Sequence, residues 1–68
     1  MFSIAHTKDK ENPKPFVQPT GAHDVYMKDE VCLFEIDGVM KLCTSKVDNN
    51  AYSPSDYAQN WTIEDYQA

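Results

Sequence analysis

The chain has 68 residues, 41% of them apolar, and a net charge of −5. That length supports one domain with a marginal core, since a chain this short buries only about 60% of the surface its unfolded form exposes. The acidic balance excludes the basic stripe that direct nucleic-acid binding needs, and it suits a partner with a positive surface.

Residues 1–14 read as an extended arm ahead of a domain over 15–68. Met1 to Ala5 is apolar enough for a short edge strand, whereas Thr7 to Pro15 is charged, carries two prolines and has no period of 2 or 3.6. The arm's alternative use is to clasp a neighbouring chain. No apolar run approaches the ~18 residues of a membrane span, and the first residues lack a signal-peptide pattern. The expectation is a soluble intracellular product with no leader, able to end up in a larger particle.

Next comes QPTGAHDVYMKDEV, residues 18–31. Thr20, Gly21, His23 and Asp24 suit either a catalytic or metal site or a turn that steers the chain into its first strand. The clearest local signal follows, EVCLFEIDGVMKLCTS, residues 30–45. Asp37-Gly38 is a favoured two-residue hairpin turn, because both central positions need positive φ, and the flanking Val, Ile, Leu, Phe and Cys suit strands. With that turn Ile36 faces Val39, Phe34 faces Lys41 and Cys32 faces Cys43. Both faces of the ribbon are then largely apolar, so each needs cover. KVDNNAYSPSDYAQNW reads as a structured loop pinned by Tyr52, Pro54 and Tyr57, with room for one helical turn capped by Ser53 or Ser55. WTIE, residues 61–64, supplies a third strand against the hairpin.

The chemistry-bearing residues are few. His6, His23, Cys32 and Cys43 are the strong soft ligands, and none forms the short-spaced pair of a structural zinc site, so no metal or other cofactor is expected. Cys32 and Cys43 fall in a hydrogen-bonded cross-strand pair, where Cα atoms lie about 5.5 Å apart. That separation permits a disulfide, and a reducing compartment favours two buried thiols instead. There is no G-x-S-x-G elbow, the acidic residues are too many for a dyad to be singled out, and the chain has little room for a deep pocket. The expectation is a protein that is not an enzyme. Tyr52, Tyr57 and Trp61 cluster within ten residues beside Asn49, Asn50, Asp56 and Asn60. Flat rings beside amides and carboxylates suit a sugar; the competing reading is that so small a domain needs every ring for its core.

PFVQPTGAHDVY, an acidic turn, a hairpin, VDNNAYSPSDY and a closing Trp61 together resemble a small β module of bacteriophage tail, fibre and other virion proteins. That module is related to the chitin-binding modules of carbohydrate-binding families 5 and 12. The resemblance covers Pro15 to about Ile63. It implies a mainly β fold, a small twisted antiparallel sheet of about three strands with long ordered loops, and no catalysis. It also implies that Gly21, His23 and Asp24 form a structural turn, with His23 and Asp24 hydrogen-bonded to loop backbone. Asp29-Glu30 stands where the family has Gly-Asp, and Asp tolerates the left-handed conformation that such a turn uses. Each hairpin arm is longer by two residues, Cys43 replaces a returning-strand aromatic, Tyr52 stands where Trp is frequent, and Ala58 and Asn60 stand where Pro and Gly precede the Trp. The family's sugar contacts carry over to Tyr52, Trp61 and Tyr57.

Three functional expectations follow. The first is a virion-associated binding module for a surface glycan or a phage structural protein, through Tyr52, Tyr57 and Trp61. The second is a small acidic inhibitor of a host defence protein, in the manner of an anti-CRISPR, using Asp29, Glu30, Glu35 and Asp37, with Glu64 and Asp65 as a second acidic spot. The third is a structural decoration or adaptor subunit, whose arm clasps neighbours in a homo-oligomer. Each places the protein in the host cytoplasm during infection or in the virion.

Overall fold

The computed structural model describes residues 6–21 and 24–66. The chain folds as a mainly β domain. Among the described residues there are three strands, β1 (Val31–Ile36), β2 (Val39–Ser45) and β3 (Trp61–Asp65), antiparallel in the order β1-β2-β3, with a 3-10 turn over Ala58–Asn60 leading into β3. Long hydrogen-bonded loops supply the rest. Among the described residues no helix is long and apolar enough to cross a membrane.

The hairpin forms at Asp37-Gly38, with φ of 54° and 79° at the two positions. These are the left-handed values of the mirror-image turns whose twist matches the flanking strands. A Cβ on Gly38 would meet nothing within 4 Å, so glycine is needed there for its backbone freedom and not for space. Cys32 pairs with Cys43, Phe34 with Lys41 and Ile36 with Val39, the register expected from the turn. Asp29, with φ 75°, takes up the left-handed position ahead of β1, as its place in the acidic turn implied.

Side chains alternate across a strand, so one face carries Cys32, Cys43 and Trp61. These three pack with Tyr26 into the buried core, and Phe16 and Phe34 lean on it partly exposed. The opposite face buries Val31, Leu42 and Thr44. Both faces are therefore covered over the base of the hairpin, while its tip, with Val39 and Met40 exposed, and Thr62 to Asp65 of β3 lie open.

The arm is extended, as its composition suggests, but what is described of it clasps its own sheet. Val31 N donates to Thr7 O (2.8 Å), Leu33 N to Lys14 O (2.8 Å), and Phe16 N to Leu33 O (2.9 Å), which closes that part of β1's outer edge. These bonds run across the expected boundary between 14 and 15, so arm and domain share one sheet edge. Between the two contacts Asp9 organises a turn, its carboxylate accepting from Glu11 N (2.9 Å) and Asn12 Nδ2 (3.2 Å). The Asn12 amide holds the Asp9 carboxyl below the usual carboxylate range. Lys10 from this turn reaches Glu64 on β3 (3.9 Å), an exposed pair worth little in itself. The short edge strand expected over Met1 to Ala5 lies outside the described residues.

Cys32 and Cys43 are free thiols, both fully buried. The hydrogen-bonded Cys43 sulfur and burial together push the Cys32 thiol well above its ordinary value. Only a thiolate attacks an alkylating reagent. The Cys32 contact and nearby Lys41 draw the Cys43 thiol below its ordinary value, so there it is burial that keeps a reagent out. Both cysteines are expected to resist iodoacetamide in the folded protein and to react readily in denaturant, as read by intact mass. Fast labelling of the native protein at neutral pH would contradict a closed core around the pair.

Candidate functional site

The loop from Lys46 to Asn60 is held by one buried amide. Asn50, almost fully buried, donates from Nδ2 to Ser45 Oγ (3.0 Å) and Asn60 O (3.4 Å). Its Oδ1 accepts from Tyr52 N (3.4 Å), while its backbone exchanges two bonds with Tyr26 (3.0 and 2.8 Å). The neighbours in DNN also shape the chain: Asp48 Oδ1 accepts from Lys28 N (3.0 Å), and Asn49 adopts the left-handed conformation with φ 55°. Asn50 is therefore not free to meet a sugar, contrary to the expectation from its place beside the aromatics. An amide has both donors and an acceptor, which lets this one side chain tie both ends of the loop to the strands.

Beyond Asn50, Ser53 Oγ accepts from Asp56 N (3.0 Å) and Ser53 O from Tyr57 N (3.0 Å), with Pro54 buried behind them. Ser53 thus caps a single tight turn, one of the two caps the sequence offers. The turn sets Tyr52 and Tyr57 side by side, ring centroids 5.5 Å apart and planes inclined by 55°. Both are exposed, at 56% and 42%. Gln18 Nε2 donates to Ala51 O (3.1 Å) beside them, and exposed Val17 precedes it. Two inclined rings on a pinned loop form a shallow corner, with polar Gln18 close by.

Trp61 does not join that corner. It is 2% exposed and sits edge-on to Tyr26 (centroids 5.2 Å, 68°) and Phe16 (6.3 Å, 78°). Its Nε1 donates to Tyr52 O (3.0 Å). The sugar-contact role expected for Trp61 is corrected to a core role. Burying an indole removes the largest apolar area any side chain offers, and its one polar atom has a partner. Through that hydrogen bond Trp61 instead fixes the backbone from which Tyr52 projects.

Thr20 and Gly21 are drawn in by Asp24. Its buried carboxylate accepts from Thr20 N through both oxygens (3.0 and 2.9 Å), from Thr20 Oγ1 (2.9 Å) and from Gly21 N (3.0 Å). Asp24 thus hydrogen-bonds loop backbone at Thr20 and Gly21; His23 lies outside the described residues. His6 is a member of this region that sequence reasoning weighed only as a metal ligand. Its ring stacks on Tyr26 (3.6 Å, 10°), and Nε2 lies 2.8 Å from Asp24 O. Tyr26 OH in turn accepts from Val17 N (3.1 Å), and burial pushes the phenol up to about 12. The Phe16–Tyr26–His6 stack had no periodic signal, because its members come from three irregular segments.

The acidic residues do not make one surface. Glu30 and Glu35 are five positions apart on an extended chain, about 17 Å, and their side chains leave on opposite faces. Glu30 Oε1 accepts from Met27 N (2.6 Å), and Asp29 N donates to Ser45 O (2.9 Å) at the hairpin's base. Glu35 lies exposed opposite Met40 near the tip, and Asp37 occupies the turn itself. On β3, Asp65 pairs with Lys41, which holds its carboxyl below the usual range. The single acidic patch expected over Asp29, Glu30 and Glu35 is thus split between base and tip.

Among the described residues there is no cavity, and no group of three His, Cys, Asp or Glu side chains converges. Comparison with protein-family models, with curated proteins and with solved structures finds no match for this chain.

Proposed function

We propose that the protein is a non-catalytic recognition module that binds a surface glycan at the Tyr52–Tyr57 corner, as a component of a bacteriophage virion. The observation that carries the reading is the pair of exposed, inclined rings on a loop pinned by Asn50, Ser53 and Trp61. A small domain with few apolar side chains to spare buries its other described large rings wholly or in part and leaves these two in solvent. Tyrosine suits this work: the ring stacks on the apolar face of a sugar and the hydroxyl bonds its rim. The resemblance of QPTGAHD and DNN-x-aromatic to virion-associated, chitin-binding-related modules supports both the ligand class and the virion setting. In this chain those two segments serve as the turn around Asp24 and the loop staple at Asn50.

The test is affinity for insoluble chitin and for bacterial surface polysaccharides, measured by pull-down and by glycan array. Tyr52→Ala and Tyr57→Ala are each expected to weaken binding roughly tenfold, about 1.4 kcal/mol, with the far-UV spectrum and urea midpoint unchanged. Binding that survives the double substitution in a folded protein, or no binding to any polysaccharide, overturns the reading.

A further inference from the structure

We infer that the outer edge of β3 pairs antiparallel with the same edge of a second copy, joining two three-stranded sheets into one across a twofold axis at Ile63. The two edges of the sheet are treated differently. The outer edge of β1 is closed by Thr7, Lys14 and Phe16 as far as Leu33. β3 bonds to β2 on one side, and on its other side the described residues bond only the Trp61 N–H.

The register says which groups face out. Lys46 N donates to Asn60 O (2.8 Å), so that pair is a bonded one, and bonding alternates from there. Thr62 and Glu64 therefore point their backbone groups at β2, while Trp61, Ile63 and Asp65 point theirs outward. The Trp61 N–H is already given to Ala58 O. The open donors are Ile63 N–H and Asp65 N–H, and the open acceptors are the carbonyls of Trp61, Ile63 and Asp65.

This set is complementary to itself. With Ile63 opposite Ile63 of the second copy, each Ile63 N–H meets the other's carbonyl, and each Asp65 N–H meets the other's Trp61 carbonyl. All the open donors are used and only the Asp65 carbonyls are left over. Side chains agree with the pairing. Ile63, 36% exposed, meets its own mate as a β-branched pair, and Thr62 stands opposite Glu64, so no like charges face each other. Glu64 and Asp65 already have Lys10 and Lys41 beside them. Close to the edge the charge is compensated, which suits a second copy better than a basic peptide.

A five-residue edge spans about 17 Å and buries less than the ~1,200 Å² of stable complexes. The dimer is therefore weak and forms as concentration rises. Each copy carries a net charge of −5, so added salt screens the long-range repulsion and strengthens it.

Sedimentation equilibrium over a broad concentration range is expected to show a monomer–dimer equilibrium that tightens with salt. Ile63→Pro removes an outward N–H and no bond to β2, and an outward edge position is one of the few in a strand where proline is tolerated. It should lower the association constant at least tenfold while the domain stays folded. If that variant proves unfolded, amide exchange on the unaltered protein decides: the Ile63 and Asp65 amides must become protected as concentration rises. A monomer at all concentrations and salts overturns the inference, as does a dimer unaffected by a folded Ile63→Pro, or Ile63 and Asp65 amides that exchange equally fast when dilute and concentrated.

Discussion

Trp61→Ala is expected to unfold about half of the molecules or more at room temperature. Truncating a buried Trp to alanine costs about 3–5 kcal/mol, and a domain of this size has a total stability of only about 3–5 kcal/mol. The loss is not confined to area. The indole is the edge partner of both Tyr26 and Phe16, and it donates to Tyr52 O, so the core and the loop that carries the tyrosine corner fail together. Far-UV circular dichroism and urea titration would show a flattened or absent transition. Trp61→Phe keeps ring contact but forfeits the hydrogen bond and leaves a void, and should remain folded with a lowered midpoint. A cooperative Trp61→Ala protein with the midpoint of the unaltered chain would remove the indole from the core. Glycan binding lost in Trp61→Ala therefore says nothing about sugar contact, and Tyr52 and Tyr57 are the positions to change.

Asp24→Asn is the second large effect, although it changes one atom. The carboxylate, 2% exposed, accepts from Thr20 N, Thr20 Oγ1 and Gly21 N. An ionised Asp offers only acceptors, whereas Asn must turn an NH2 group toward at least one of these donors. Each hydrogen bond to a charged group is worth about 1.5–3 kcal/mol, and a buried donor left without a partner costs a comparable amount. The expected destabilisation is about 2–4 kcal/mol, visible as a fall in urea midpoint at unchanged slope. A change below about 0.5 kcal/mol, the scale of an ordinary surface substitution, would mean that the turn does not depend on the carboxylate.

These two positions mark what kind of information the sequence carries about this chain. Asp24, read from residue types alone, suited a catalytic or metal site as well as a turn, and only the resemblance implied the turn, although its partners are three and four residues away. The hairpin was legible because it is a local event. Asp37-Gly38 sets the turn, the turn sets the register, and the register places Cys32 opposite Cys43 without knowledge of anything distant. Trp61 carried a signal for a strand and left core ring and sugar platform as competing readings. Whether a ring lies in the core or in solvent depends on what arrives from elsewhere in the chain, here Phe16 and Tyr26. Asn50 was misread on the same ground, since an amide next to exposed tyrosines is indistinguishable in sequence from an amide that ties a loop to two strands.

Local chemistry thus determined the turns, the hairpin register, the third strand and the mainly β class. The tertiary structure alone decided that the arm closes the edge of β1, that the indole is a core ring, that the acidic residues lie at opposite ends of the hairpin, and that two tyrosines are left in solvent. The reason is range. Backbone preferences and two-residue turns act over a few positions, whereas burial is settled by contacts between segments far apart in the chain, whose meeting no short window of residues records.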